Sequence, residues 1–232
     1  MNRLAGSPGP HVFVESLDSP TLSEDDRHHL VRSLRMRAGD ALTLSDGNGR
    51  WCPAVLNESD QPEPTGEIAV LESAGQTATI AFSLVKAGKP EFVIQKLTEL
   101  GIGHIVVLAA ERSVARWDDG KIERANERWN RIAREAAMQS HRTRVPTIDG
   151  VHEASVWLAS NPVAIAHFGG GPIGAGHNAV AVGPEGGWTP GEVEVATSCV
   201  GLGDTVLRAE TAAISAGTLL CEAKRSMKFD ES

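Results

Sequence analysis

The residues with the clearest chemical use lie in the C-terminal third of the chain. Val182-Gly-Pro-Glu-Gly-Gly-Trp188 puts three glycines, a proline and one acid between an apolar run and a helix start. Glycines let backbone amides and carbonyls approach a ligand closely. Pro184 precedes Glu185 and glycine follows it, so the acid is held. An ordinary turn seldom needs all of these together, and the segment reads as a ligand loop. A second segment is Leu202-Gly-Asp-Thr-Val-Leu-Arg-Ala-Glu-Thr-Ala212. Here a short strand, Thr205 to Leu207, is expected to lead into a helix starting near Glu210. An acid at a helix start suits the dipole and can be a simple cap. Arg208 at the same positive end requires an anion: Glu210, a phosphate or a carboxylate.

A third segment, Gly169-Gly-Gly-Pro-Ile-Gly174, matches the spacing of a dinucleotide fingerprint. That fingerprint must open a helix, so that amides at the helix start face the pyrophosphate. This chain instead continues into an apolar strand, Ala179 to Val182. A nicotinamide oxidoreductase is rejected for that reason, and Gly169 to Gly176 reads as a flexible loop. Other chemistries fail sooner. His28 and His29 are adjacent and point about 100° apart on a helix. The remaining histidines lack zinc-ligand spacing, and Cys52, Cys199 and Cys221 form no Cys-x-x-Cys pair. No nucleophile elbow and no Gly-Lys-Ser/Thr phosphate loop is present. The chain is therefore expected to use no metal.

Charge points elsewhere. The net charge is −8, which looks wrong for a nucleic-acid partner. Arg27, Arg32, Arg35 and Arg37 nevertheless form an island of +4 with no acid among them. A second island between Arg112 and Pro146 has nine basic and five acidic residues, again +4, which leaves −16 for the rest. Two basic islands on an acidic body can form a phosphate-binding footprint, although arginines of this kind are often only solvated helix faces. No apolar run approaches the roughly 18 residues of a membrane span. Met1 to Pro10 has no signal-peptide core, so a cytoplasmic location is expected.

The elements that must position these residues change character along the 232-residue chain. Residues 1–75 read as β-rich with one helix: a strand at His11–Glu15, a helix capped by Ser23 and closed by Gly39, and a hairpin from Ala41 to Leu56. Asn57 to Gly66 reads as a loop and Glu67 to Leu71 as a strand. Residues 76–232 alternate strand and helix. Strands are expected at Thr79–Val85, His104–Leu108, Val163–His167 and Ala179–Val182. Helices are expected at Pro90–Leu100, Lys121–Ser140, from Thr189, and at Glu210–Arg225. Such alternation means a mostly parallel α/β sheet, with its site in the loops after the strands.

Six segments, in this order, resemble the ribosomal RNA small-subunit methyltransferase E family of the SPOUT class. They are His29-Leu-Val-Arg-Ser-Leu-Arg-Met36, Phe92 to Gly101, Glu111-Arg-Ser113, Ala136-Ala-Met-Gln-Ser140 with Arg144-Val-Pro146, Val182 to Gly187, and Val206 to Ala212. The resemblance implies an N-terminal PUA-like β-barrel that helps bind RNA and a C-terminal SPOUT-type α/β domain with a trefoil knot. It also implies S-adenosyl-L-methionine as methyl donor, 16S ribosomal RNA of the small subunit as partner, and a homodimer. Its donor site falls on Leu108, Val182, Gly183, Pro184, Glu185, Gly186, Gly187, Leu202, Gly203, Val206, Leu207, Thr211 and Ala212. The chain departs from the family pattern at Met138, where the family usually has Glu, and at Thr205, where it often has Arg.

The implied reaction is methylation of uracil N3. That atom lies on the Watson–Crick edge and must be unpaired or flipped out. It carries a proton, so the site must align N3 and help remove that proton. Arg208 is the candidate for stabilising the developing negative charge, with Glu210 and Glu185 as the available acids, unranked. Arg27, Arg32, Arg35, Arg37, Arg112, Arg142 and Arg144 are the candidates for the RNA backbone. Trp188 is a candidate base-stacking residue or packing. Two rival readings are a ribose 2′-O methyltransferase of the same class and a non-catalytic RNA-binding assembly factor.

Overall fold

The computed structural model describes residues 9–71, 78–84, 89–113 and 117–230. The chain divides into two compact units, one from Met1–Glu72 with Arg134–Val145, the other from Ser73–Ala133 with Pro146–Ser232. The boundary expected between residues 75 and 76 lies outside the described residues.

In the first unit, β1 (His11–Phe13) runs parallel to β2 (Ala41–Ser45). β2 pairs antiparallel with β3 (Arg50–Leu56), placing Leu44 opposite Cys52, as the hairpin pattern requires. β3 also pairs with β4 (Pro62–Pro64) and β5 (Ala69–Val70), completing a five-stranded sheet. The segment read as a loop thus contains a strand. Its prolines hid it, and they are tolerated because β4 is an edge strand. Ser23 does cap the helix: its Oγ accepts from the Asp26 amide at 3.1 Å. The helix is shorter than expected. α1 (Glu24–His28) passes into one π-helical turn, His29–Ser33, and Arg35 then takes a left-handed φ of 57°. Arg35 and Arg37 therefore lie beyond the helix, and Gly39 does not end it. Val12, Leu30, Met36, Leu42, Leu44 and Leu56 form the core of this unit.

Residues 134–145 complete that unit. Arg134 donates to both carboxylate oxygens of Asp26, at 3.2 and 2.8 Å, and to the Phe13 carbonyl at 3.1 Å. Burial alone would raise the Asp26 carboxyl, but the hydrogen bonds from Arg134 and Ser23 outweigh it and hold the group below its ordinary value. Met138 packs against the same core, with its sulfur 3.3 Å from Arg134 Nη1. Met138 therefore serves packing in this unit.

His11 is 2% exposed, and its Nδ1 lies 2.8 Å from Thr43 Oγ1. Desolvation, then the nearby His141, push its pKa down to about 4 from 6.5. The folded unit thus binds fewer protons than the unfolded chain between these values. Stability from His11 is complete above pH 6.5 and is lost as pH falls towards 4, by roughly 3 kcal/mol at 1.36 kcal/mol per pKa unit. Thermal unfolding followed from pH 7 to 4 should show this decline. His11→Asn should flatten it over that window.

The second unit holds a six-stranded sheet in the order β11-β9-β10-β6-β7-β8, every neighbouring pair parallel. β6 (Thr79–Ser83), β7 (His104–Ala109) and β10 (Ala179–Val182) are the short apolar runs of the sequence. α2 (Lys89–Leu100), α3 (Asp119–Gln139), α5 (Pro190–Glu194) and α6 (Ala209–Asp230) match expected helices, with α6 longer. β8 (Thr147–Glu153), α4 (Ala154–Ser160) and β11 (Ser198–Val200) were not anticipated. β8 carries Asp149, Gly150 and His152, so it lacks an apolar run, and its register shifts at Gly150. The strand expected at Thr205–Leu207 is absent: these residues are irregular, and β11 lies before them.

β9 (Ala164–Gly171) corrects the reading of the glycine run. Gly169 to Gly171 finish the strand instead of forming a loop. A Cβ on Gly170 would sit 2.5 Å from the Val200 carbonyl carbon, and one on Gly201 would sit 2.6 Å from the Gly170 oxygen. The glycines are there because the backbones of β9 and β11 approach closely.

Candidate functional site

Strand β9 and the loops after β10 and β11 meet the start of α6 around a cavity of about 380 Å³. It lies at the carboxyl ends of β9 and β10, where ligands bind in open parallel sheets, and its size falls within the range of small-ligand pockets. β10 delivers Val182, Gly183, Pro184, Glu185, Gly187 and Trp188. Leu202, Gly203, Val206, Leu207 and Ala212 come from the second glycine-containing segment and α6, together with Thr205 and Ala209.

The capping box expected at Thr189 anchors the first loop. Thr189 Oγ1 accepts from the Glu192 amide, and Glu192 Oε2 accepts from the Thr189 amide at 2.8 Å. Trp188 is 7% exposed, and its Nε1 donates to the Ala166 carbonyl at 3.2 Å. It forms part of the cavity wall while its ring packs in the sheet core with Ala81, Leu108 and Ile165.

Three of the expected donor residues are placed differently. Leu108 is fully buried on β7, inside the same core, and its side chain does not reach the cavity. Gly186 and Thr211 also lie off the wall. Conversely, Arg112, Ala166, His167 and Phe168 line the cavity and were not among the residues expected in the donor site. The strand read at Val163–His167 stopped one residue short of Phe168. The rule placing ligands at strand ends was the available signal for it.

The candidate acids separate. Glu185 is exposed and lines the cavity. Glu210 lies in the first turn of α6 with an oxygen 2.9 Å from Lys89 Nζ. The hydrogen bond from Lys89, then one from its own backbone amide, hold its carboxyl below the ordinary value, with the charges of Lys89 and Arg208 assisting. A carboxylate held low is a poor proton acceptor. Arg208 is exposed just before α6, and its guanidinium makes no hydrogen bond or ion pair among the described residues.

The arginines expected at the RNA backbone also differ among themselves. Arg32, Arg35 and Arg37 are exposed, and Arg27 lies 3.9 Å from Asp60. Arg144 is half-buried, and its guanidinium lies over Gly49, where a Cβ would meet Nη2 at 2.5 Å. The backbone of Arg142 hydrogen-bonds with His11. Arg112 Nη1 donates to the carbonyls of Gly186 and Trp188.

Comparison with known proteins decides the family. A model of RNA methyltransferase domains matches residues 72–221, and one of RNA methyltransferase PUA domains matches residues 22–68. A ribosomal RNA small subunit methyltransferase E of Bacillus subtilis is 31% identical, covering 88% of this chain and 90% of that protein. The chain belongs to the ribosomal RNA small subunit methyltransferase E family. A member from Mycobacterium tuberculosis is 30% identical, covering 82% of this chain and 80% of its own length. The crystal structure of the Neisseria gonorrhoeae member, bound to S-adenosyl methionine, superposes with a TM-score of 0.76 at 27% identity. It covers 90% of this chain and 95% of that one.

Proposed function

We propose that this chain transfers a methyl group from S-adenosylmethionine to N3 of a uridine in 16S ribosomal RNA. The observation that carries the reading is the convergence of Gly183–Trp188, Leu202–Leu207 and the α6 start on one cavity, in a chain of this family. The wall suits the donor: Val182, Leu202, Val206, Leu207 and Ala212 give apolar surface for a purine, and the glycine-bearing loops give backbone polar groups. S-adenosylmethionine supplies a methyl on a sulfonium centre, which becomes neutral on transfer.

The residues then divide the work. Glu185, on the cavity wall, orients the base or takes the N3 proton. Glu210 stays paired with Lys89 and holds the start of α6. Arg208, exposed beside that start, meets the negative charge that develops on the uracil. The exposed Arg32, Arg35 and Arg37, together with Arg27, Arg142 and Arg144, contribute positive charge along the RNA backbone. In the same reading, residues 76–232 form a knotted SPOUT domain and residues 1–75 a PUA-like barrel, in a cytoplasmic homodimer. The family model matches at 72–221 and 22–68 support that division.

The test is methyl transfer to isolated small ribosomal subunits, with the product nucleoside identified. N3-methyluridine is the expected product. A 2′-O-methylated nucleoside would move the target to the ribose, and donor binding without transfer to RNA would favour an assembly factor. A second measurement addresses the arginine island. Arg32→Glu with Arg35→Glu is expected to weaken RNA binding by about tenfold or more and to flatten its salt dependence. Donor affinity should stay the same. Unchanged RNA affinity would make these arginines a solvated face.

A further inference from the structure

Arg112 lies in the loop after β7, in a Glu-Arg-Ser run whose three residues are each tied to a different part of the second unit. The Glu111 amide donates to Glu192 Oε1 at 3.2 Å. Ser113 Oγ donates to the Leu84 carbonyl at 2.9 Å, fixing the run to the end of β6. Between them, Arg112 Nη1 donates to the carbonyls of Gly186 and Trp188, at 3.2 and 3.1 Å. Glu192 is 2% exposed, and its second oxygen is held by Thr189 at the start of α5. The loop after β10 is therefore gripped on both sides by the loop after β7.

We infer that Arg112 is a positioning residue for the donor cavity, holding the Gly183–Trp188 loop in its binding shape through the Gly186 and Trp188 carbonyls. The inference rests on the donor reading of that cavity. Two further observations support it. A Cβ on Gly186 would come within 3.2 Å of Arg112 Cβ, so the glycine leaves room for the arginine to lie across the loop. Arg112 also lines the cavity and pairs with no carboxylate among the described residues, so its charge is directed to these carbonyls. A guanidinium suits such a task because its planar fork keeps several donors in fixed directions.

The experiment uses the full chain with Arg112→Gln and Arg112→Lys, and reads amide hydrogen exchange without any ligand. In Arg112→Gln the amides of Gly187 and Thr189 should exchange about tenfold faster, the scale of losing charge-assisted hydrogen bonds. Exchange in Ala41–Leu56 should not change. Arg112→Lys should restore part of the protection. By calorimetry, the S-adenosylmethionine dissociation constant of Arg112→Gln should rise by about tenfold, with the salt dependence of RNA binding unaltered. Unchanged exchange in the loop would overturn the inference. So would unchanged donor affinity together with a salt slope smaller by about one, the signature of a lost phosphate contact. Because exchange is read on the free chain, a protein that binds no donor would sink the cavity's assignment without touching this result.

Discussion

Arg208→Ala is expected to lower turnover by about 100-fold or more while leaving the donor dissociation constant within about twofold. The guanidinium is exposed just before α6 and is not on the wall of the cavity. Its neighbours are already settled: Glu210 is paired with Lys89 at 2.9 Å, so Arg208 is not needed to neutralise it. A cation beside the positive end of a helix is unfavourably placed. Incoming negative charge relieves this, and uracil gains negative charge when N3 loses its proton. Single-turnover methyl transfer and calorimetry on the same preparation separate the two effects. Weaker donor binding at unchanged turnover would assign Arg208 to the cofactor instead.

The second large effect is structural. Gly170→Val should loosen β11 from β9 and with it the segment Leu202–Leu207 that contributes to the cavity wall. The added Cβ would meet the Val200 carbonyl carbon at 2.5 Å and the Val200 nitrogen at 2.7 Å. Both are backbone atoms, so no rotamer change relieves the clash. Overpacking of this kind costs about 1–3 kcal/mol, which lowers the melting temperature by several degrees in a chain of this size. Donor affinity should fall by more than about tenfold, because Leu202, Gly203, Thr205, Val206 and Leu207 of the cavity wall follow directly after β11. Gly171→Ala is the control, since a Cβ there meets nothing within 4 Å. Equal donor affinity in Gly170→Val and the parent chain would show that the two strands can separate without consequence for the site.

The parts of this molecule that were legible in its residues share a property: their cause is local. The Ser23 and Thr189 caps follow from side chains within three residues of the amides they accept from. The Ala41–Leu56 hairpin and the short apolar strands β6, β7 and β10 follow from alternation and from turn residues. The parts that were not legible have causes distant in sequence. β8 is a strand because β7 pairs with it, although its own composition is polar. Gly170 is fixed by Val200, thirty residues later, so the run looked like a loosely built turn. Pro62–Pro64 is a strand only because an edge of the sheet accepts it.

The candidate site divides in the same way. Both glycine-bearing segments read as ligand loops in the sequence, and the structure brings them to one cavity. The roles within them needed three dimensions. Glu210 and Glu185 look equivalent in the sequence, and only the approach of Lys89, from a helix over a hundred residues earlier, distinguishes them. Arg112 belonged by composition to a basic island, yet its guanidinium is turned to two carbonyls more than seventy residues ahead.

The interleaving of the two units along the chain has a consequence for synthesis. Arg134 grips Asp26 and the Phe13 carbonyl, and Thr143 accepts, through its carbonyl, from Ser45 Oγ. The first unit is therefore unfinished until residues 134–145 have left the ribosome. At about 5–20 residues per second, several seconds separate synthesis of the sheet from that of Arg134 and Thr143, which supply the Asp26 ion pair and one Ser45 Oγ acceptor. The N-terminal sheet thus gains its last contacts only when the end of α3 and the residues after it have been made.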